Sequence, residues 1–413
     1  STKLTPPFGS IDGAPCRLWI STPAGRILPP VKHAILTFAA SLALVAAAAA
    51  QDPFGPYKGE LSRMQPPDWM KEGTRLQWEV RGAWIPGKDA APAGAGVMTA
   101  DIVSLVGTTA AVCVRTQAKL SGAFGGEALG APTEQGMVVP AASAGEYWVH
   151  PDVLAKTFRS LGEDGPWKAF KGPFEVNGRK IPAIQFVTGG GPKDRSRTSL
   201  VYEEATGIML SAITSQRRNV SDSLHATGVH QFLARRDRKL PWAMGRPPKW
   251  LATIVAFQYS GSRMMEIDGA PAGQLPVSLL LTREQVGTNF VVLKMQEQDQ
   301  RGGGAPLGVR VSGPTQVGGI WLPPLDIRKL RQGQVCDVDE VTQTRTFVGY
   351  VGPTQYGRQV VTIVEQSPGY ELYMDYELST GILLVVTLKD KMLSMSMQVG
   401  FSGKQRGAAP AGD

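Results

Sequence analysis

Short runs of alternating apolar and polar residues dominate the chain, and helical spacing is rare. Leu76-Gln77-Trp78-Glu79-Val80 has the two-residue period of a half-buried strand. Near the end, Leu393, Met395, Met397 and Val399 alternate with Ser394, Ser396 and Gln398 in the same way. Runs at 112–116, 174–176, 181–187, 198–202, 208–215, 252–259, 277–282, 289–295 and 360–365 also predict strands. Asn177-Gly178 joins two of them as a tight hairpin, because both residues tolerate positive φ. Pro182 places the returning strand at a sheet edge, since proline donates nothing to a ladder. Residues 151–156 and 324–330 predict two short helices, each with Pro in its first turn, where a missing N–H costs nothing.

The pattern is written twice. Tyr202-Glu203-Glu204-Ala205-Thr206-Gly207-Ile208-Met209-Leu210 returns 174 residues later as Tyr376-Glu377-Leu378-Ser379-Thr380-Gly381-Ile382-Leu383-Leu384. Pro66-Pro67-Asp68-Trp69 matches Pro247-Pro248-Lys249-Trp250 at an offset of 181, and Trp148-Val149-His150-Pro151 matches Trp321-Leu322-Pro323-Pro324 at 173. Gly178-Arg179 matches Gly357-Arg358 at 179. The anchors keep one order, and loop-length changes account for the drift in offset. A period this long, met only twice, predicts tandem domains rather than a solenoid. The expected fold is mainly β: two homologous antiparallel domains, half-barrel or sandwich-like, each with one short helix. Their bounds fall at 66–239 and 240–403, with a flexible leader at 51–65 and a disordered tail at 404–413.

Residues 31–50 read as a secretory signal. Lys32 and His33 precede the apolar run from Ala34 to Ala50, and Ala48-Ala49-Ala50 offers small residues for cleavage before Gln51. The competing reading is a membrane anchor, for which the run is short of the roughly 20 residues a span needs. Residues 1–30, which include Cys16, read as a mis-assigned start or a disordered leader. The expected product is exported, periplasmic or extracellular, with no transmembrane span. The formal net charge of the 413 residues is +8, and it falls to +5 without residues 1–50, which hold four basic and one acidic side chain. That excess implies no nucleic acid partner.

Candidate chemistry is sparse. A pepsin-like aspartic protease needs Asp before each Thr-Gly pair, so that two carboxylates share a proton. Ala205 and Ser379 stand there instead, which excludes that reaction. Glu203 and Glu377 are equivalent acids that read as solvated strand residues. His150, His225 and His230 lack the neighbours of a metal site, and Met392, Met395 and Met397 read as core rather than as soft ligands. No catalytic, metal or cofactor site is expected. Asn219-Val220-Ser221 fits a glycosylation sequon. Cys113 and Cys336 could be bridged in an exported protein, or could be buried free thiols. Arg217, Arg218, Arg235, Arg236, Arg238 and Lys239 cluster near the domain junction as a candidate patch for an anionic partner, or as a solvated edge that discourages pairing. Trp148, Trp321, Tyr202 and Tyr376 are candidate ligand-binding aromatics, which either seat each helix on its sheet or line a cavity between them.

A short helix and antiparallel strands ending in Tyr-x-x-x-Thr-Gly, as at Tyr202–Leu210 and Tyr376–Leu384, resemble exported carriers of the lipoprotein-localisation type. The resemblance implies an unclosed barrel with a helical lid over an apolar cavity, although no long lid helix is predicted here. The expected function is a non-enzymatic cell-envelope binding or scaffold protein that carries an apolar or lipid ligand. The alternatives are an envelope hydrolase of unrecognised type and a purely structural interaction protein.

Overall fold

The structure is a computed structural model that describes residues 52–82, 94–121, 127–162, 165–191, 194–217, 225–267, 270–298 and 304–406. The signal-like run, the segment before it, Arg218, the sequon and the tail beyond 406 lie outside the described residues. The first half contains β1 (Thr74–Gly82), β2 (Ala95–Val106), β3 (Thr109–Ser121), β4 (Glu127–Leu129) and β5 (Thr133–Pro140). It continues with β6 (Trp167–Val176), β7 (Arg179–Gly189), β8 (Ser196–Glu203), β9 (Met209–Gln216) and β10 (His225–Asp237). The second half contains β11 (Ile254–Ile267), β12 (Ala270–Val286), β13 (Val291–Gln298), β14 (Gly304–Ser312) and β15 (Val335–Asp339). It ends with β16 (Thr344–Pro353), β17 (Gln359–Gln366), β18 (Tyr370–Glu377), β19 (Leu383–Asp390) and β20 (Met395–Arg406). Three α-helices occur among the described residues: α1 (Lys58–Leu61), α2 (Pro151–Ser160) and α3 (Pro324–Ile327).

Each half folds into one antiparallel sheet of ten strands, and neither sheet closes into a barrel. The first runs β4-β3-β2-β1-β10-β9-β8-β7-β6, with β5 beside β4 on the same flank of β3. The second runs β14-β13-β12-β11-β20-β19-β18-β17-β16-β15. In both, the first strand of the half pairs with the last, β1 with β10 and β11 with β20. A sheet zipped through its own ends needs no strand from the other half.

The repeated phrase forms the same bonds twice. Gly207 N donates to Glu203 O at 2.8 Å and Gly381 N to Glu377 O at 2.7 Å. Gly207 and Gly381 have φ of 73° and 72°, a region that costs a side-chain-bearing residue about 1–2 kcal/mol. A Cβ on either would also overlap a carbonyl oxygen, Val149 O or Leu322 O. Thr206 and Thr380 donate their hydroxyls to Glu203 and Glu377, so each acid is engaged within its own turn. Trp69 Nε1 reaches Thr206 O at 2.7 Å, and Trp250 Nε1 reaches Thr380 O at 2.8 Å.

Some local expectations change. Pro182 lies inside the sheet, between β6 and β8, not at its edge. It stands one residue beyond the β7–β8 ladder, whose last pair is Ala183–Glu203, so its missing N–H removes no rung there. Each domain copy carries one α-helix, α2 or α3, while α1 lies in the leader before the first copy. In α2, His150 is the N-cap, its ring accepting from Asp152 N at 3.2 Å, while Val153, Leu154 and Thr157 pack inward.

Candidate functional site

The two halves meet across a face that strand alternation assigns to polar residues. On β1, Leu76 and Trp78 enter the first core, while Arg75 and Gln77 point the other way. That other face is equally buried, against the second half. Arg75 donates to Asp101 at 2.6 and 2.7 Å and to Asp339 at 2.7 Å. Gln77 Nε2 adds a 3.0 Å bond to Asp339. Arg238 bridges Asp101 and Asp337 at 3.2 Å each, and Arg236 pairs with Asp337 and with Asp339 at 3.3 Å. Farther along, Arg115 holds Glu365 through bonds of 3.0 and 2.6 Å, and Tyr370 OH reaches the same carboxylate at 2.7 Å. Glu134 lies 3.2 Å from Arg115 and 2.7 Å from Arg310. Five arginines thus meet five carboxylates in this seam.

Burial opposes these charges, and the arginines overcome it. Asp339 is pushed by burial towards neutrality, but Arg75, Gln77 and Arg236 together outweigh that and hold its carboxyl at about 2. Asp101 is likewise below its ordinary value because Arg75 and Arg238 outweigh desolvation, as is Glu365 beside Arg115. Apolar contact completes the seam, with Val103, Ala111 and Cys113 packed on Phe290, Val292 and Val311. Gly136 on β5 permits the approach, since a Cβ there would overlap the β14 backbone at Val311.

At the end of the seam lies a cavity of about 340 Å³, lined mostly by the second half. Tyr259, Leu279, Leu281, Met295, Ile320, Leu372, Leu383, Val386, Leu388, Met397 and Val399 form its apolar wall. Period-two alternation brings Leu279 with Leu281, Val386 with Leu388 and Met397 with Val399 to one face of the sheet. Residues 131–134 and Arg115 of the first half wall off one side, and Arg263, Glu297 and Arg310 supply charge.

The duplication explains why room exists here. Trp78 Nε1 bonds Met209 O at 2.9 Å, and Tyr259 OH bonds Leu383 O at 2.9 Å, so Tyr259 takes the place of Trp78. Met209 N bonds Tyr147 O and Leu383 N bonds Ile320 O, so Ile320 takes the place of Tyr147. In the first half Trp78 and Tyr147 pack ring to ring at 5.6 Å. Two smaller side chains replace that pair in the second half.

The aromatics singled out from sequence lie elsewhere. Trp148, Trp321, Tyr202 and Tyr376 are fully buried and do not line the cavity. Trp148 Nε1 donates to Ala141 O, and Trp148 and Trp321 bridge Ile208 and Ile382 of the repeated turns. Tyr202 OH and Tyr376 OH donate to Gly145 O and Gly319 O. Backbone bridges at Trp148 and Trp321 and the two tyrosine hydroxyls tie each repeated turn and its strand to the loop segment before the helix.

The basic cluster is divided, not gathered. Alternation along β10 sends Arg236 and Arg238 into the seam and leaves Arg235 and Lys239 exposed. Arg217 bonds the carbonyls of Asp194 and Gly191. Cys113 and Cys336 are free, buried thiols, one in the seam cluster and one in the second core, so the bridge does not form. His230 is buried with its pKa lowered to about 4 by desolvation. Among the described residues, no group of three His, Cys, Asp or Glu could hold a metal ion, and no helix is long and apolar enough to cross a membrane. The seam and cavity escaped sequence reading because Arg75 and Gln77 look like an ordinary solvent face. The readable signal was the change from Trp78 and Tyr147 to Tyr259 and Ile320. Neither a protein-family model nor a curated protein matches the chain.

Proposed function

We propose that the chain is an exported, non-enzymatic binding module that holds an apolar ligand in the cavity of its second half. The observation that carries this reading is the hydrocarbon wall of the cavity, built where the first half has a filled core. Its volume, about 340 Å³, falls within the roughly 300–1,000 Å³ common to small-molecule sites. Five charged side chains, Arg115, Glu134, Arg263, Glu297 and Arg310, share the lining with that wall. In this reading the first half is a scaffold. The seam clamps residues 131–134 against the cavity, and the run at 34–50 directs export.

Titration with Nile red, a neutral apolar dye, tests the reading. The full chain should bind it with a blue-shifted emission. Ile320→Tyr, which restores the ring found at Tyr147, should weaken binding by about tenfold, the effect of losing roughly 1.4 kcal/mol of contact. Equal binding by the variant and the parent, with both folded by circular dichroism, would refute the cavity as the site.

A further inference from the structure

The cavity carries cations that its counterpart in the first half lacks. Val112 faces Met137 across β3 and β5, and the equivalent pair across β13 and β14 is Leu293 with Arg310. Met137 packs against the first core, whereas Arg310 lines the cavity. At the offset that relates Trp78 to Tyr259, Arg263 stands where the first half has Gly82.

The two cations are not equally satisfied. Arg310 is fixed by Glu134 at 2.7 Å as part of the seam. Among the described residues the only carboxylate paired with Arg263 is Glu297, at 3.8 Å, beyond hydrogen-bond length. The Nε of Arg263, like that of Arg310, is shielded from solvent and has no acceptor among the described residues, so the contrast between the two lies in the distance to the carboxylate. A guanidinium N–H shielded in this way is costly unless an acceptor arrives. Arg263 and Glu297 are about one-third exposed, at 34% and 32%, so Glu297 can keep its water if Arg263 turns to a ligand.

Resting on the binding-module reading above, we infer that the cavity takes a single-chain anionic amphiphile of the fatty carboxylate class. The carboxylate accepts hydrogen bonds from Arg263, and the tail lies along the wall formed by Leu279, Met295, Leu388 and Met397. One chain matches the volume, which is at the lower end for small-molecule sites. The charge of Arg263 distinguishes this class from neutral lipids of the same length.

Calorimetric titration of the full chain with dodecanoate, 1-dodecanol and dodecyltrimethylammonium tests the inference. Dodecanoate should bind at least about tenfold more tightly than the alcohol, the effect of one charge-assisted hydrogen bond, and the cation should bind weakest. Arg263→Gln should remove that preference and leave the alcohol unchanged. Arg263→Lys should keep part of it, and Glu297→Gln should strengthen dodecanoate binding by freeing the guanidinium. If alcohol and carboxylate bind alike, or Arg263→Gln leaves the preference intact, the head-group assignment is overturned while the cavity stands. If no amphiphile binds, and Ile320→Tyr does not change dye binding, the binding-module reading is overturned with it.

Discussion

Replacing Asp339 by Asn removes one charge from the seam while nearly preserving its shape. Asp339 accepts bonds from Arg75 and Gln77 and lies 3.3 Å from Arg236, with a side chain only 2% exposed. Its carboxyl is held at about 2, against an ordinary 3.8, because Arg75, Gln77 and Arg236 together outweigh the opposing effect of burial. At about 1.4 kcal/mol per pKa unit, that depression corresponds to about 2–3 kcal/mol of stability at neutral pH. Asp339→Ala, which leaves buried guanidinium groups uncompensated, should cost more, about 3–5 kcal/mol. The sign follows from the depressed pKa. The contribution is complete above about pH 4 and is lost as pH falls through the folded value of about 2. Urea unfolding of the full chain, repeated from neutral pH down to acid, measures both effects. Asp339→Asn should lower stability at neutral pH and flatten the acid limb, with Asp101 and Glu365 supplying what remains of it. A loss below about 1 kcal/mol at neutral pH, or an unchanged acid limb, would refute the reading of the seam as a charge-stabilised interface.

The repeated turn makes a paired prediction. Gly207→Ala and Gly381→Ala should each destabilise by more than about 2 kcal/mol, because strain adds to overlap with a carbonyl, whereas Gly178→Ala, which meets nothing, should cost only about 1 kcal/mol in thermal unfolding. Trp69→Phe and Trp250→Phe remove equivalent bonds to Thr206 O and Thr380 O, and each should lose about 1–2 kcal/mol; sharply unequal losses would contradict their equivalence. The thiols should resist Ellman's reagent in the folded chain at neutral pH. Burial raises Cys113 well above its ordinary value and pushes Cys336 up to about 11, so rapid labelling of Cys113 without unfolding would show that the seam opens.

Alternation and turn chemistry, which act over a few residues, were enough to predict strands at 76–80, 198–202 and 360–365 and the hairpin at Asn177-Gly178. The duplicated phrase pointed to two similar β units, because Thr-Gly in each copy dictates the same tight turn wherever the chain goes. Those features are local, and local sequence determines them. The destination of the second strand face is not local. Arg75, Gln77 and Asp101 alternate with core residues as solvent-facing residues would, and only the other half shows that they are buried. Arg236 and Arg238 look like one basic patch with Arg235 and Lys239 until β10 is given a neighbour on one face. The cavity is likewise a tertiary fact. Exchange of Trp78 and Tyr147 for Tyr259 and Ile320 can be read from the sequence, but empty volume depends on whether other side chains fill it. Sequence determined the units and their turns because those depend on backbone geometry within a few residues. The tertiary structure decided what lies against what, because burial is a property of two surfaces and each surface is written elsewhere in the chain.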